Sequence, residues 1–286
     1  ARAVFDEVDT ALGRPLSRLM AEGPPEALTL TINAQPALMA ASLAAVRALE
    51  AELDRPLAAF CAHLAGHSLG EYAALTAAGT FDVATAARLL HVRGEAMQSA
   101  VPVGEGAMAA ILGLEIDTVE ALVAESDGEL DVANDNARGQ IVVSGTSGAV
   151  AAVIGSARDR GAKRVMMLPV SAPFHCRLMG PAAERMAEAL ASADMRDPAI
   201  PVVANVSAAP VTDVAGVREA LVAQVCGRVR WRETMDHLAA AGTTRVVEAG
   251  TGRVLGGLAK RGVRGATVHH LETADDVRAL AAALAG

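Results

Sequence analysis

Aromatic residues are nearly missing from this chain: four Phe, one Trp and one Tyr in 286 residues. Base stacking on aromatic platforms is thereby excluded as a way of binding nucleic acid. Positive charge is also short. Lys and Arg number 25 against 33 Asp and Glu, and a formal net charge of -8 argues the same way. Cysteine is scarce: Cys61, Cys176 and Cys226 are widely spaced and form neither a zinc pattern nor a disulfide framework. A reducing, cytoplasmic setting is expected, with no metal site. No run of about 18 apolar residues occurs, so no membrane span is expected. Repeats and low-complexity linkers are absent too. The first residues, from Ala1 to Val8, show no signal-peptide pattern and no initiator Met, and read as the middle of a helix.

What is present is a globular composition, 52% hydrophobic and 20% charged, long enough for one large domain with a smaller one inserted. The pattern centres on Gly66-His67-Ser68-Leu69-Gly70. An apolar run over 57–64 predicts a strand before it, and residues 71–78 predict a helix after it. Gly-x-Ser-x-Gly between strand and helix is the nucleophile elbow. Its glycines are expected to be small because strand and helix approach there. The serine is lifted to a helix N-terminus, where free N–H groups favour developing negative charge.

Along the rest of the chain strands alternate with helices, which predicts a mainly parallel α/β sheet. A helix is expected over 36–52, with Pro36 in its first turn and Leu38, Ser42, Ala45 and Leu49 on its buried face. Another is expected over 83–100, capped by Asp82 and carrying Arg88, His91, Arg93 and Glu95. Between 106 and 170 the order reads β-α-β-β-α-β, the split βαβ arrangement. The expected fold is therefore α/β: a large α/β-hydrolase-like catalytic domain, residues 1–103 and 172–286, with a nucleophile elbow. A small ferredoxin-like subdomain, residues 104–171, is inserted into it.

A serine nucleophile needs a base. Of seven histidines, His175 stands where the small subdomain hands back to the large one, and loops at such junctions line clefts. Arg93, on the helix after the elbow helix, suits bidentate binding of a substrate carboxylate. No acid stands out as a third triad member, so a backbone carbonyl orienting the histidine, a Ser-His dyad, is expected. Taken singly, the same residues also fit a glycine-bounded turn with a surface serine, a histidine bonded to a loop carbonyl, and a surface arginine paired with Glu95.

Several motifs occur together in a fixed order: Gly66 to Tyr72, Arg93-Gly94, Gly106 to Ala110, Asn134-Asp135-Asn136 with Gln140 to Gly145, Pro173 to Met179, and Glu248 to Leu255. In that order they resemble malonyl-CoA:acyl-carrier-protein transacylases over nearly the whole chain. The resemblance implies Ser68 as acyl acceptor and His175 as general base. It implies Arg93 as the clamp on the malonyl carboxylate and the Leu69 N–H as half of the oxyanion hole. The carbonyl that orients His175 is expected near the loop from Gly250 to Leu255. Phe174 matches the bulky residue of malonyl-selective members. No cofactor is implied. The implied partners are malonyl-CoA and an acidic acyl carrier protein bearing phosphopantetheine, with Lys163-Arg164 and Lys260-Arg261 as candidate docking charges, and the protein is expected to be a monomer. Two departures stand out. The family's opening strand and Phe-Pro-Gly-Gln-Gly loop, which supplies the other oxyanion donor, lie outside this sequence, and a longer protein is expected. Thr251 stands where a Gly-Pro-Gly loop is common. The rival readings are a serine esterase or thioesterase using the same dyad, a non-catalytic interaction module, and a malonyltransferase of polyketide synthesis or malonate decarboxylation.

Overall fold

The computed structural model describes residues 1–285, and helix dominates them, as the alanine content favours. The first part is α1 (Arg2–Leu12), α2 (Leu16–Glu22), α3 (Pro25–Thr29) and the long α4 (Thr31–Leu53). α4 begins at Thr31, so Pro36 lies inside it rather than in its first turn. The start is early because the Leu30 carbonyl already accepts from Asn33 N and Ala34 N, both at 2.8 Å. Pro36 cannot donate to Ile32 O, and that freed carbonyl accepts instead from Arg14 Nη2 at 3.5 Å. The buried face of α4 matches the expected one only in part: Leu49 is buried and Ser42 and Ala45 are half-buried, but Leu38 is exposed while Met39, Ala40 and Leu43 are buried.

The strand expected over 57–64 is largely absent. Leu57–Ala59 is a turn of 3-10 helix, and β1 is only Leu64–Ala65. α5 (Leu69–Ala77) leaves the elbow, and α6 (Val83–Ser99) follows with Asp82 Oδ1 accepting from Thr85 N at its start. Next come β2 (Gly106–Leu112), α7 (Ile116–Ala124), β3 (Leu130–Ala137), β4 (Gln140–Thr146), α8 (Ser147–Asp159) and β5 (Arg164–Met167). These four strands form one antiparallel sheet in the order β3-β4-β2-β5. Alternate residues such as Ala109, Ile111, Val132 and Val143 face α7 and α8 and form their own core with Val119, Leu122 and Val150.

After this unit come α9 (Gly180–Ser192), β6 (Val202–Val203), β7 (Pro210–Val211), α10 (Val214–Cys226) and α11 (Trp231–Ala240). β8 (Arg245–Ala249), α12 (Val254–Gly262), β9 (Thr267–Leu271) and α13 (Ala274–Ala285) complete the described chain. The expected parallel sheet is in two pieces. β1 pairs in parallel with β6, and β8 pairs in parallel with β9. Between the free edges of β1 and β8 lies a cavity of about 620 Å³, lined by Leu43, Leu64, Ala65, Trp231, Val247 and Ala249.

The antiparallel unit is joined to the rest at the end of β3. Val229 N donates to Ala133 O at 2.8 Å, and Asp135 N donates to Val229 O at 3.0 Å. The buried Asp135 carboxylate pairs with Arg232 Nη2 of α11 at 2.8 Å. Burial raises this carboxyl above its ordinary value, and the Arg232 partner only partly offsets it.

The elbow glycines are not equivalent. A Cβ on Gly66 would stand 1.9 Å from Gly70 O, so this is the close approach that demands glycine. A Cβ on Gly70 would meet nothing within 4 Å, so the expected crowding at the second glycine is absent. Gly66→Ala is therefore expected to cost more than about 2 kcal/mol, because backbone must move. Gly70→Ala, on a helix, is expected to be neutral or to gain up to about 1 kcal/mol. Urea unfolding of the two variants checks the contrast.

Candidate active site

Ser68 has φ 52°, a left-handed conformation rare outside glycine. Its surroundings hold it there from both sides. Ser68 N donates to Asn205 Oδ1 at 2.7 Å, and Ser68 O accepts from Gln224 Nε2 at 3.0 Å. Asn205 also donates from Nδ2 to Gly66 O at 2.8 Å, so one buried side chain spans the elbow. The result points Ser68 Oγ at His175 Nε2, 2.7 Å away.

His175 is buried and itself has φ 57°. Its Nδ1–H donates to the backbone oxygen of Gln224 at 2.9 Å, which leaves Nε2 bare as acceptor for the serine proton. The orienting group is thus a carbonyl, as the dyad reading expects, but it comes from α10 and not from the loop 250–255. That loop is occupied elsewhere. Glu248 accepts from Leu255 N and Gly256 N at 2.9 and 2.8 Å, and Gly250 N donates to Leu271 O.

Arg93 is 1% exposed. Its Nη2 donates to Ser68 Oγ at 3.0 Å and to Gln224 Oε1 at 2.9 Å, and its Nη1 donates to Gln35 Oε1 at 2.7 Å. The guanidinium also lies 5.7 Å from the Tyr72 ring centroid. Among the described residues no carboxylate forms an ion pair with it. Glu95, the surface partner considered for it, pairs with Arg185 instead. Motif order thus brings Ser68, His175 and Arg93 into one hydrogen-bonded cluster.

The other expected site residues lie around this cluster. Leu69 is the first residue of α5, directly after the nucleophile. Phe174 is half-buried and packs against Met108, Ala110, Ala133 and Val142 of the antiparallel sheet. His67 turns the other way: its Nε2 meets Asn136 Oδ1 at 2.8 Å, and its ring lies 5.4 Å from that of Trp231. Gln35, Glu71, Asn205 and Gln224 carry much of the site, and motif reading assigns them no role. The available signal was a polar residue inside an apolar helical stretch, as with Gln224 among Leu221, Val222, Ala223 and Val225. No group of three or more His, Cys, Asp or Glu able to hold a metal ion occurs among the described residues.

The family model described as acyl transferase domain matches residues 1–278. Malonyl CoA-acyl carrier protein transacylase of Bacillus subtilis is 44% identical over 264 residues, covering 91% of this chain and 82% of that protein. That of Escherichia coli K12 is 42% identical over 283 residues, covering 98% and 89%. The chain belongs to the malonyl-CoA:acyl-carrier-protein transacylase family. The crystal structure of acyl-carrier-protein-S-malonyltransferase from Bartonella henselae matches at a TM-score of 0.96 and 47% identity, covering 100% of this chain and 91% of that one. A malonyl-transacylase solved in complex with a type II PKS acyl-carrier protein matches at a TM-score of 0.93 and 36% identity, covering 98% and 90%.

Burial dominates the electrostatics around Ser68. Burial, and next the Arg93 charge, push His175 down to about 3, so it is a neutral base at working pH. Glu71, fully buried in the first turn of α5, accepts on Oε2 from Gln224 Nε2 at 2.7 Å and Asn205 N at 3.1 Å. Its Oε1 has no partner among the described residues. Burial outweighs those bonds and the nearby Arg93, and raises Glu71 from 4.5 to about 7. The sign follows directly. Below about pH 4.5 both folded and unfolded chains hold the proton; above it the unfolded chain releases its proton first. Glu71 therefore lowers stability as pH rises from about 4.5 to about 7, by about 3 kcal/mol at most. Glu71→Gln keeps an acceptor and removes that charge. Relative to wild type it is expected to gain stability between pH 5 and pH 8, and denaturant midpoints at the two pH values measure the gain. A constant offset at both would show that Glu71 does not titrate in this range.

Proposed function

We propose that this chain moves a malonyl group from malonyl-CoA to the phosphopantetheine thiol of an acyl carrier protein, through a malonyl ester on Ser68. The observation that carries this reading is a buried arginine with no carboxylate partner among the described residues, in hydrogen-bond contact with Ser68 Oγ. Burying a cation unpaired is costly, and an acyl group bringing its own carboxylate supplies the missing partner. An ordinary esterase using the same dyad has no need of that cation.

The reaction is a two-step exchange. His175 Nε2 takes the Ser68 hydroxyl proton as Oγ attacks the thioester carbonyl. The tetrahedral oxyanion is held by the Leu69 N–H at the start of α5. The C–S bond breaks, His175 returns the proton to the departing CoA sulfur, and a malonyl-serine ester remains with its carboxylate on Arg93. The carrier thiol then gives its proton to His175 and attacks the ester. Collapse regenerates Ser68 with the proton from His175. The malonyl carboxylate has a second effect. By neutralising Arg93 it removes a charge that depresses His175, so the base strengthens when the proper substrate is seated.

The same reading assigns Phe174 to acyl selection, and the clusters at Lys163-Arg164 and Lys260-Arg261 to docking of the acidic carrier. It takes residues 104–171 as an inserted ferredoxin-like unit and the protein as a cofactor-free monomer of fatty-acid or polyketide synthesis. No helix of the described residues is long and apolar enough to cross a membrane.

Intact-mass analysis after mixing with malonyl-CoA is expected to show one malonyl adduct, lost in Ser68→Ala. An unmodified wild-type protein would sink the transferase reading. Arg93→Ala is expected to lower kcat/KM for malonyl-CoA roughly tenfold or more relative to acetyl-CoA. Equal losses for the two donors would remove the carboxylate clamp from the mechanism.

A further inference from the structure

We infer that Gln35 is a specificity-determining positioning residue, which aims Arg93 at the acyl carboxylate while leaving its charge unspent. The inference rests on the transferase reading above and assigns a role to a residue outside the Ser-His-Arg cluster. Gln35 is 3% exposed on α4, and its Oε1 accepts from Arg93 Nη1 at 2.7 Å. The orientation of its amide is set by its other end. Nε2 donates to Thr31 Oγ1 at 2.8 Å, one helical turn earlier, and has a longer contact with Met97 Sδ at 3.9 Å. The oxygen is therefore the atom turned toward Arg93.

The helix approach that makes this contact is itself built. Arg93 is followed by Gly94, and a Cβ there would stand 2.6 Å from Ile32 Cα and 2.9 Å from Thr31 O. Only glycine lets α6 sit this close to α4, at the level where Gln35 reaches across. Gln35 on Nη1 and Gln224 on Nη2 then grip the guanidinium through two amide oxygens. Both acceptors are neutral. A carboxylate in place of either would form a buried ion pair with Arg93 and compete with the substrate for it. An apolar residue would leave an N–H without a partner and the fork free to turn. Glutamine satisfies both demands: it is long enough to cross, fixed in orientation, and uncharged.

The test uses two near-isosteric variants of the full chain, Gln35→Glu and Gln35→Met. Single-turnover acylation of Ser68 by malonyl-CoA and by acetyl-CoA is followed by intact mass, with thermal unfolding as a check on folding. In Gln35→Glu the malonyl-to-acetyl ratio of acylation efficiency is expected to fall about tenfold or more, through a higher malonyl-CoA concentration at half-saturation. Acetyl transfer is expected to change little. In Gln35→Met the ratio is expected to fall by a smaller factor. If Gln35→Glu does not fold, Gln35→Met decides alone. An unchanged ratio, or equal loss for both donors in a folded variant, overturns the role of Gln35 and leaves the transferase reading standing. Absence of any malonyl adduct on wild-type Ser68 overturns both.

Discussion

Gln224 is the point on which the site depends. One residue of α10 gives its backbone oxygen to His175, its side-chain oxygen to Arg93, and its amide N–H groups to the Ser68 carbonyl and Glu71. His175, Arg93 and Ser68 are thus referred to a single helix position. This suits a reaction in which small errors in position are expensive. It also explains why a glutamine occupies an otherwise apolar stretch of helix: every polar atom it has is used, so its burial carries little penalty.

The second constraint is backbone strain at the two reacting residues. Ser68 and His175 both have left-handed φ without being glycine, and such conformations persist only where neighbours over-determine them. For Ser68 the restraint comes from Asn205 and Gln224 on its amide and carbonyl, backed by Glu71. The antiparallel unit adds a wall through the bridge at Val229, the Asp135–Arg232 pair and the Asn136–His67 contact. His67 belongs to this support. Its ring is held by Asn136 on one side and packed near Trp231 on the other, facing away from the chemistry.

Ser68 has a local signature, glycine at a crowded turn, but His175 and Arg93 are legible only through the ordered motifs that resemble the transacylases, since taken singly each fits a structural role as well. The order of elements was legible, since alternation of apolar strands and capped helices is a local property. What depends on distance between elements was not. β1 is short because only Leu64 and Ala65 find ladder partners, Val202 and Val203 of β6, and no residue between 57 and 64 encodes where β6 lies. Pro36 suggested a helix start, yet the carbonyls of Leu30 and Ile32 found other donors and the helix began earlier. The carbonyl facing His175 was sought in the loop 250–255, but Glu248 holds that loop to its own strand. Gln35 was invisible because its partner lies on another helix, and only the missing Cβ of Gly94 brings the two within reach.

The choice of a carbonyl over a carboxylate behind His175 follows from the same electrostatics. A carboxylate there would raise the histidine, as in a full triad, and would also lie close enough to Arg93 to cancel part of its charge. A neutral carbonyl fixes the tautomer and leaves Arg93 uncompensated. Gln35 and Gln224 follow that rule by gripping the cation through amides, and Glu71, the one carboxyl nearby, is pushed toward its neutral form by burial. Among the described residues the side chains around Arg93 thus leave its charge without a carboxylate partner. In the reaction proposed above, an acyl donor that carries a carboxylate supplies it, replaces Ser68 Oγ on Arg93, and strengthens His175 when it accepts a proton. A neutral acyl group does none of these. In the proposed reaction, selectivity and activation come from this one deficit, located on a guanidinium held by two neutral amide oxygens.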